Sequence, residues 1–163
     1  MIYRESFITN ADKKRAFKAV APDAKLSSDA SKFVELIVNK CVLHMLDVVN
    51  INKYINNKKY GKLSRYIMGE VNAALKKQEL KYVTQQINFT QFSKKILSKY
   101  PTSINRETMI TIAVVAEYLM CDLFDKGNNA KSTLKNTVTV GMILDGIKHD
   151  KDIANFCQEF IIL

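Results

Sequence analysis

The stretch that decides the fold is "AVVAEYLMCDLFDKGNNAK", Ala113 to Lys131. Its mostly apolar composition and helical periodicity are typical of a helix in a protein core. Glu117, Asp122 and Asp125 are five and three residues apart, so they fall on roughly one side of that helix. The stretch therefore predicts a long core helix that carries carboxylates on its outer side.

Helical periodicity also dominates the rest of the chain. The first predicted helix is Asp12–Ala21, capped by Thr9 or Asn10. The second begins at the Ser cap signal at 27–28 and runs to Tyr54 in about seven turns. The others cover residues 63–80, 89–100, 105–131 and 138–150. Gly127 and Asn128 are the expected stop signal of the long second-half helix. Residues 132–139 are read as a loop whose β-branched residues could pair as a short strand.

The predicted helices form the order short–long–short twice, an internal repeat of about 75–80 residues. A helix of about 25 residues is roughly 37 Å long, and two short helices cannot cover its apolar faces. Two such units that cross long helix against long helix would bury both faces in one core. The sequence therefore predicts an all-α fold of two paired units, residues 1–80 and 81–163.

The charge is unevenly distributed along the chain, whose net charge is +9. Residues 1–86 contain 16 Lys and Arg against 8 Asp and Glu, a balance of +8. Residues 87–163 contain 9 against 8, a balance of +1. A basic half points to a polyanion such as nucleic acid, although a solvated surface has the same composition.

Sequence features of enzymes, metal sites and membrane spans are not found. No apolar run approaches the ~18 residues that a membrane span needs. Cys41, Cys121 and Cys157 are far apart and lack C-x-x-C spacing, so they are read as small apolar packers. His44 and His149 are isolated, and no metal-ligand spacing, nucleophile with a base or Gly-rich phosphate loop occurs. We expect no catalysis and no cofactor.

Several motifs, spread over about residues 10 to 157, match a known family in their order and spacing. In the first half, "KLSSDASKFVELIVNKCVLHML", "NKK" and "SRYIMGEVNAALKKQEL" resemble histone 2B. In the second half, "AVVAEYLMCDLFDKGNNAK" and "ILDGIKHDKDIANF" resemble histone 2A. A 2B-type unit ahead of a 2A-type unit is similar to the histone doublets of nucleocytoplasmic large DNA viruses. The resemblance implies two tandem histone folds paired intramolecularly in a handshake.

The resemblance also implies a function. Histones package DNA into nucleosome-like particles through phosphate and minor-groove contacts that do not depend on sequence. The implied partners are double-stranded DNA and a histone 3–histone 4-type doublet or pair. The implied location is the virion and the viral factory or nucleus of an infected cell, or otherwise nuclear chromatin.

The resemblance to a DNA-wrapping fold makes the basic and hydroxyl side chains near loops and helix starts the candidate DNA contacts. Lys59 falls where the 2B family has a minor-groove Arg, whereas Ser103 and Thr137 occupy the corresponding positions of the 2A family. We therefore expect the second half to bind DNA less tightly. The candidates are Lys13, Lys14, Arg15, Lys18, Lys25, Ser27, Ser28, Lys58, Lys59, Lys62 and Arg65 in the first half, with Lys94, Lys95, Lys99, Arg106, Lys131 and Lys135 in the second.

Two further surfaces follow from the histone 2A resemblance. An acidic patch, able to bind a basic peptide or an Arg side chain, would contain Glu79, Glu117, Asp122, Asp125, Asp150 and Asp152. Lys151 interrupts the acidic run, so the patch should be weak, and simple solvation of an outer helix face is the alternative. The apolar end of the chain predicts docking on a neighbouring histone pair or back on this chain, through Phe156, Phe160, Ile161, Ile162 and Leu163.

Two other functions remain open at this point. The first is a histone-fold subunit that binds DNA to regulate transcription, which would ordinarily carry acidic or Gln-rich arms. The second is an interaction scaffold that keeps the fold without wrapping DNA, which the low charge of the second half allows.

Overall fold

A computed structural model of the protein describes residues 6–48, 50–100, 104–131 and 136–162. The helices are α1 (Asn10–Val20), α2 (Ser28–Leu46), α3 (Ile51–Ile55), α4 (Lys62–Leu75), α5 (Phe89–Lys99), α6 (Arg106–Ala130), α7 (Val140–Lys148) and α8 (Lys151–Cys157). Short 3-10 helices cover Lys58–Tyr60 and Leu80–Tyr82, and two-residue strands are β1 (Lys25–Leu26) and β2 (Thr137–Val138). The fold class is therefore all-α, as predicted.

Side-chain caps begin most of the helices. Thr9 and Asp12 form a reciprocal capping box at α1, which settles the predicted alternatives in favour of Thr9. Ser27 caps α2, and Asn88 and Asn105 cap α5 and α6. These Ser, Thr and Asn residues accept hydrogen bonds from amides that have no partner within the helix.

The long helix of the first half is shorter than predicted. A continuous helix to Tyr54 is wrong, because α2 ends at Leu46 and α3 begins only at Ile51. Asn50 accepts a hydrogen bond from the Lys53 amide and so starts a new helix at this point. Asn competes with the helical backbone for such bonds, which apolar periodicity does not reveal.

Gly127 and Asn128 do not end α6, which continues to Ala130. Gly127 is buried, and a Cβ atom there would lie 2.6 Å from Val138 Cγ1 and 2.7 Å from Ile143 Cγ1. The residue allows β2 and α7 to pack closely on α6. It is a packing glycine rather than a helix stop.

Elements of the two halves pack against one another. The helices α1, α2 and α4 all contact α6, and α7 contacts both α6 and α2. The buried apolar residues of both halves form one hydrophobic cluster, with Val34, Val38, Leu119 and Phe124 among its members. The division of the chain at residues 80 and 81 stays a prediction.

The two halves are also joined through the backbone. β1 pairs with β2 in parallel, with Lys25 opposite Thr137 and Leu26 opposite Val138. The sequence allows a short strand within the predicted loop 132–139, and Thr137–Val138 forms one. The pairing joins the segment before α2 to the segment before α7.

Candidate nucleic-acid interface

The basic residues of α1 differ in their exposure. Lys14 and Lys18 are exposed and lie one turn apart on the helix. Lys13 is buried, and its Nζ atom lies 2.8 Å from Glu35 Oε1. Its prediction as a DNA contact is corrected, because an ammonium group held in that pair does not reach the surface.

Arg15 connects α1 to the segment between the two halves. Its guanidinium lies 2.6 Å from Asp12 Oδ1, and its Nε donates to the Gln86 carbonyl at 2.9 Å. The same Asp12 oxygen accepts from the Asn88 amide at 3.1 Å. Arg15 therefore has a role inside the chain, although its side chain is 47% exposed.

The paired strands β1 and β2 form a region, the strand end, that brings together candidates from both halves. Lys25 and Ser28 are exposed, and the Ser27 hydroxyl caps α2 by accepting from the Ala30 amide. Thr139 caps α7 directly after β2, so two helix N-termini follow two adjacent strands. Lys131 Nζ lies 3.3 Å from Asn136 Oδ1, and Asn136 Nδ2 donates to the Asp23 carbonyl at 2.7 Å. Lys135 lies outside the described residues.

A second basic group surrounds the start of α4. Lys58, Lys62 and Arg65 are exposed. Lys59 forms an ion pair with Glu159, which follows α8. Gly61 has a φ of 54°, and a Cβ atom there would lie against the Asp152 carboxylate. The positive φ favours glycine at this position, because residues with a Cβ atom rarely adopt it.

The basic residues of the second half are partly engaged. Lys94 is exposed and Lys95 is half-buried on α5. Lys99 Nζ lies 5.0 Å from the centre of the Phe7 ring. Arg106 donates to the Lys77 carbonyl at 3.1 Å, across the two halves.

Glu117 was predicted in the acidic patch, and the structure gives its carboxylate a partner within the chain. Its two oxygens accept from the amides of Gln85, Gln86 and Ile87 at 3.0, 2.7 and 2.9 Å. The three donors belong to the segment between α4 and α5, which joins the two halves. Glu117 therefore fixes that segment against α6.

Two of the other predicted acids, Asp122 and Asp150, form ion pairs with Lys126. Its Nζ lies 3.0 Å from Asp150 Oδ2 and 3.4 Å from Asp122 Oδ1. Burial raises the pKa of Asp122, and Lys126 only partly opposes that shift. Asp125 lies one helical turn before Asn129, whose Nδ2 is 3.4 Å from Asp125 Oδ2. A lysine thus lies within the predicted acidic surface.

Asp150 and Asp152 also stabilise local structure. Asp150 caps α8 by accepting from the amides of Asp152 and Ile153. Burial acts to raise the pKa of Asp150, but hydrogen bonds from Lys126 and these amides outweigh it and lower the pKa. Asp152 Oδ2 accepts from the Lys62 amide at 3.1 Å.

An open cleft of about 540 Å³ lies beside these carboxylates and has mixed charge. Its ionisable lining residues are Lys126, Asp145, His149, Asp150, Lys151 and Asp152. Glu79 is exposed and pairs with Lys81 at 3.6 Å. Binding of a basic peptide to this surface stays a prediction.

The apolar C-terminal residues fold back on this chain. Phe156 is buried against Tyr54 and Tyr60, with ring centres 6.0 and 5.1 Å apart, and Phe160 packs against Phe156 at 5.7 Å. Of the two predicted alternatives, docking on a neighbouring histone pair or back on this chain, Phe156 and Phe160 follow the second. Ile161 is half-buried, Ile162 is exposed, and Leu163 lies outside the described residues.

The main features that sequence reasoning missed are long-range polar contacts. These contacts join residues 24 to 100 positions apart: Glu117 with the segment before α5, Lys126 with Asp150, and Glu159 with Lys59. No local pattern indicates such pairs. The Asp12–Arg15 pair has the i, i+3 spacing of a helix-surface ion pair and was detectable.

Comparison with known proteins gave no family assignment. No model of a protein family matches the chain, and no curated protein matches it significantly. Across the part of the chain that the structure describes, no helix has both the length and the apolar character to cross a bilayer. Among the same residues, no group of three or more His, Cys, Asp or Glu could hold a metal ion.

Proposed function

We propose that the chain is a histone doublet, a structural and non-catalytic protein whose two halves are histone folds paired in a handshake. The observation that carries the proposal is the parallel pairing of β1 with β2 between the halves. The packing of α1, α2 and α4 on α6 agrees with units that complete each other's core. The resemblance of the sequence motifs to histones 2B and 2A supplies the family.

The proposed ligand is the backbone of duplex DNA. The N-termini of α2 and α7 follow the adjacent strands, and helix N-termini attract phosphate through their amides and dipole. Lys25 adds an exposed positive charge at the same end. Such contacts do not recognise base edges, so binding is independent of sequence.

In this proposal the doublet packages viral DNA together with a histone 3–histone 4-type partner. The net charge of +9 favours association with a polyanion. The corresponding location is the virion and the viral factory or nucleus of the infected cell.

The proposal is tested by duplex binding as a function of salt concentration. If six to eight phosphates are neutralised, log affinity against log salt has a slope of about −5 to −7. Two duplexes of equal length and unrelated sequence should bind equally. A nearly flat salt dependence, or a strong preference for one sequence, contradicts the proposal.

A matched pair of double variants locates the interface. Replacing Lys14 and Lys18 by Gln removes two exposed charges from α1 and should reduce the magnitude of the slope by about 2. Replacing Lys148 and Lys151 by Gln removes the same charge from two exposed lysines, of which Lys151 lines the mixed-charge cleft, and should leave the slope nearly unchanged. Equal effects of the two pairs would mean that Lys14 and Lys18 do not lie in the DNA contact.

One observation favours an interaction scaffold as a second candidate. Several second-half basic residues have intrachain partners: Arg106 with Lys77, Lys126 with Asp150 and Lys131 with Asn136. A scaffold would fold and assemble with a partner but would show no salt-dependent binding of duplex DNA.

A further inference from the structure

The C-terminal helix covers part of the basic group at the start of α4. Asn155 Nδ2 donates to the Lys59 carbonyl at 2.9 Å, and Asp152 Oδ2 accepts from the Lys62 amide at 3.1 Å. Glu159 forms an ion pair with the Lys59 side chain. A backbone carbonyl, a backbone amide and an ammonium group of this loop are therefore all engaged by residues from one segment.

Glu159 is held at this position by apolar packing on both sides of it. Phe156 is buried against Tyr60, the residue next to Lys59, with ring centres 5.1 Å apart. Phe160 packs on Phe156 and on His44, at 5.7 and 6.3 Å. The hydrogen bond from Lys59 is the main cause of the lowered pKa of Glu159, so its carboxylate is charged at neutral pH.

A carboxylate and a phosphate compete for the same donors, because both are anionic oxygen acceptors. Lys59 is 49% exposed, so its ammonium group is accessible to an incoming anion as well as to Glu159. The neighbouring Lys58, Lys62 and Arg65 are exposed, and no described carboxylate forms an ion pair with any of these three side chains. Lys59 differs from them in having an internal anion as its partner.

We propose that Glu159 is a built-in competitor of DNA, which occupies Lys59 and keeps this lysine from the phosphate backbone until the ion pair opens. The inference rests on the proposed DNA-binding function. In this scheme the C-terminal segment lowers the affinity of the basic group at the start of α4 for DNA. Displacement of the segment frees Lys59 to make one more phosphate contact.

The test compares Glu159→Gln with Glu79→Gln in salt titrations of duplex binding by the full chain. Both variants remove one negative charge, but Glu79 is exposed and pairs with Lys81 at 3.6 Å rather than with a candidate DNA contact. E159Q should bind about two- to five-fold more tightly than E79Q near 0.15 M salt, the size expected for loss of a partly exposed ion pair. Its slope should be steeper by about 0.9, corresponding to one additional phosphate.

A second variant assigns the gain to Lys59. Lys59→Gln in the E159Q background should abolish the extra slope, whereas K59Q alone should change the wild-type slope little, and circular dichroism verifies that each variant is folded. Equal slopes and affinities for E159Q and E79Q, with a wild type that binds duplex DNA, overturn this inference alone. If neither the wild type nor E159Q binds duplex DNA, the proposed function fails as well.

Discussion

Two of the regions in which the halves meet, the strand end (β1 and β2) and the α8 end (α8 with the start of α4), are closed by different kinds of contact. At the strand end, main-chain bonds join β1 to β2, with the Lys25 amide 2.8 Å from the Asn136 carbonyl and the Ser27 amide 3.0 Å from the Val138 carbonyl. At the α8 end, the side chains of Asp152, Asn155 and Glu159 make the contacts. The main-chain hydrogen bonds of the strand end leave the side chain of Lys25 exposed. At the α8 end, the side chain of Lys59 is engaged in an ion pair. The difference suggests that the two ends are not equally available to a polyanion.

The α8 end should be the more sensitive to a single truncation. Phe156→Ala removes a buried ring from contact with Tyr54, Tyr60 and Phe160, with an expected loss of about 3–5 kcal/mol in the free energy of unfolding. Val138→Ala at the strand end removes less apolar volume and leaves the main-chain bonds, so about 2 kcal/mol is expected. Urea denaturation measures both, and a smaller loss for F156A than for V138A would reverse the comparison.

The segment between the halves combines the two kinds of contact, since one side chain binds three main-chain amides. Glu117→Gln replaces one acceptor oxygen by an NH₂ group that faces amide donors. We expect a loss of about 2 kcal/mol in the free energy of unfolding, typical of bonds to a charged group. The exposed Glu79→Gln is the control and should have little effect, and equal losses would show that charge rather than geometry is responsible.

Gly127 tests how tightly the strand end is packed on α6. Gly127→Ala gains about 1 kcal/mol of helix propensity, but its methyl group lies too close to Val138 and Ile143. Overpacking costs about 1–3 kcal/mol, so a net loss of about 1 kcal/mol is expected. Gly69→Ala on α4 has no atom within 4 Å and should stabilise the protein by up to about 1 kcal/mol. Thermal unfolding distinguishes the two, and stabilisation by G127A would mean that the strand end is loosely packed.

The smallest expected effect is a pH dependence that differs between Asp150 and Asp122. The pKa of Asp150 is lowered from 3.8, so its contribution to stability is present above that value and is lost as the pH falls below it. The pKa of Asp122 is raised from 3.8, so its ionisation opposes folding above the raised value.

Asp150→Asn should therefore lower stability at pH 7 by less than about 1 kcal/mol, and the difference from wild type should shrink toward pH 3. Asp122→Asn should not lower stability at pH 7. Urea denaturation between pH 3 and pH 7 provides the measurement. Stabilisation by Asp150→Asn, or a loss of stability with Asp122→Asn at pH 7, would contradict the roles given to Lys126 and to the burial of Asp122.

Local chemistry made much of the fold predictable. The helical class and most helices followed from periodicity and caps, such as the Thr9 capping box and the Ser27 cap. The break after Leu46 was missed because a side-chain cap at Asn50 interrupts an apolar pattern that continues beyond it. Gly127 was misread because a stop glycine and a packing glycine look alike until the neighbouring β2 and α7 are known.

The candidate site was only partly predictable. The residue order shows which side chains carry a charge, but it does not show which distant residues they pair with. The exposed Lys14, Lys18 and Lys25 are located where a DNA contact requires them, on the surface. Lys13 and Glu117 have the same side-chain chemistry as surface groups, but partners 22 and 30 or more residues away engage them. Such partners are determined by how the halves pack, which the residue order alone does not reveal.

The most direct test of the central claim is nuclease digestion of long duplex DNA reconstituted with this protein and a histone 3–histone 4-type partner. The account predicts a protected fragment of one defined length that appears on DNA of unrelated sequences and is absent when either protein is omitted. Protection only at chosen sequences would instead indicate a regulatory DNA-binding subunit. Digestion with no protected fragment, by proteins that assemble with each other, would contradict DNA packaging and favour the scaffold.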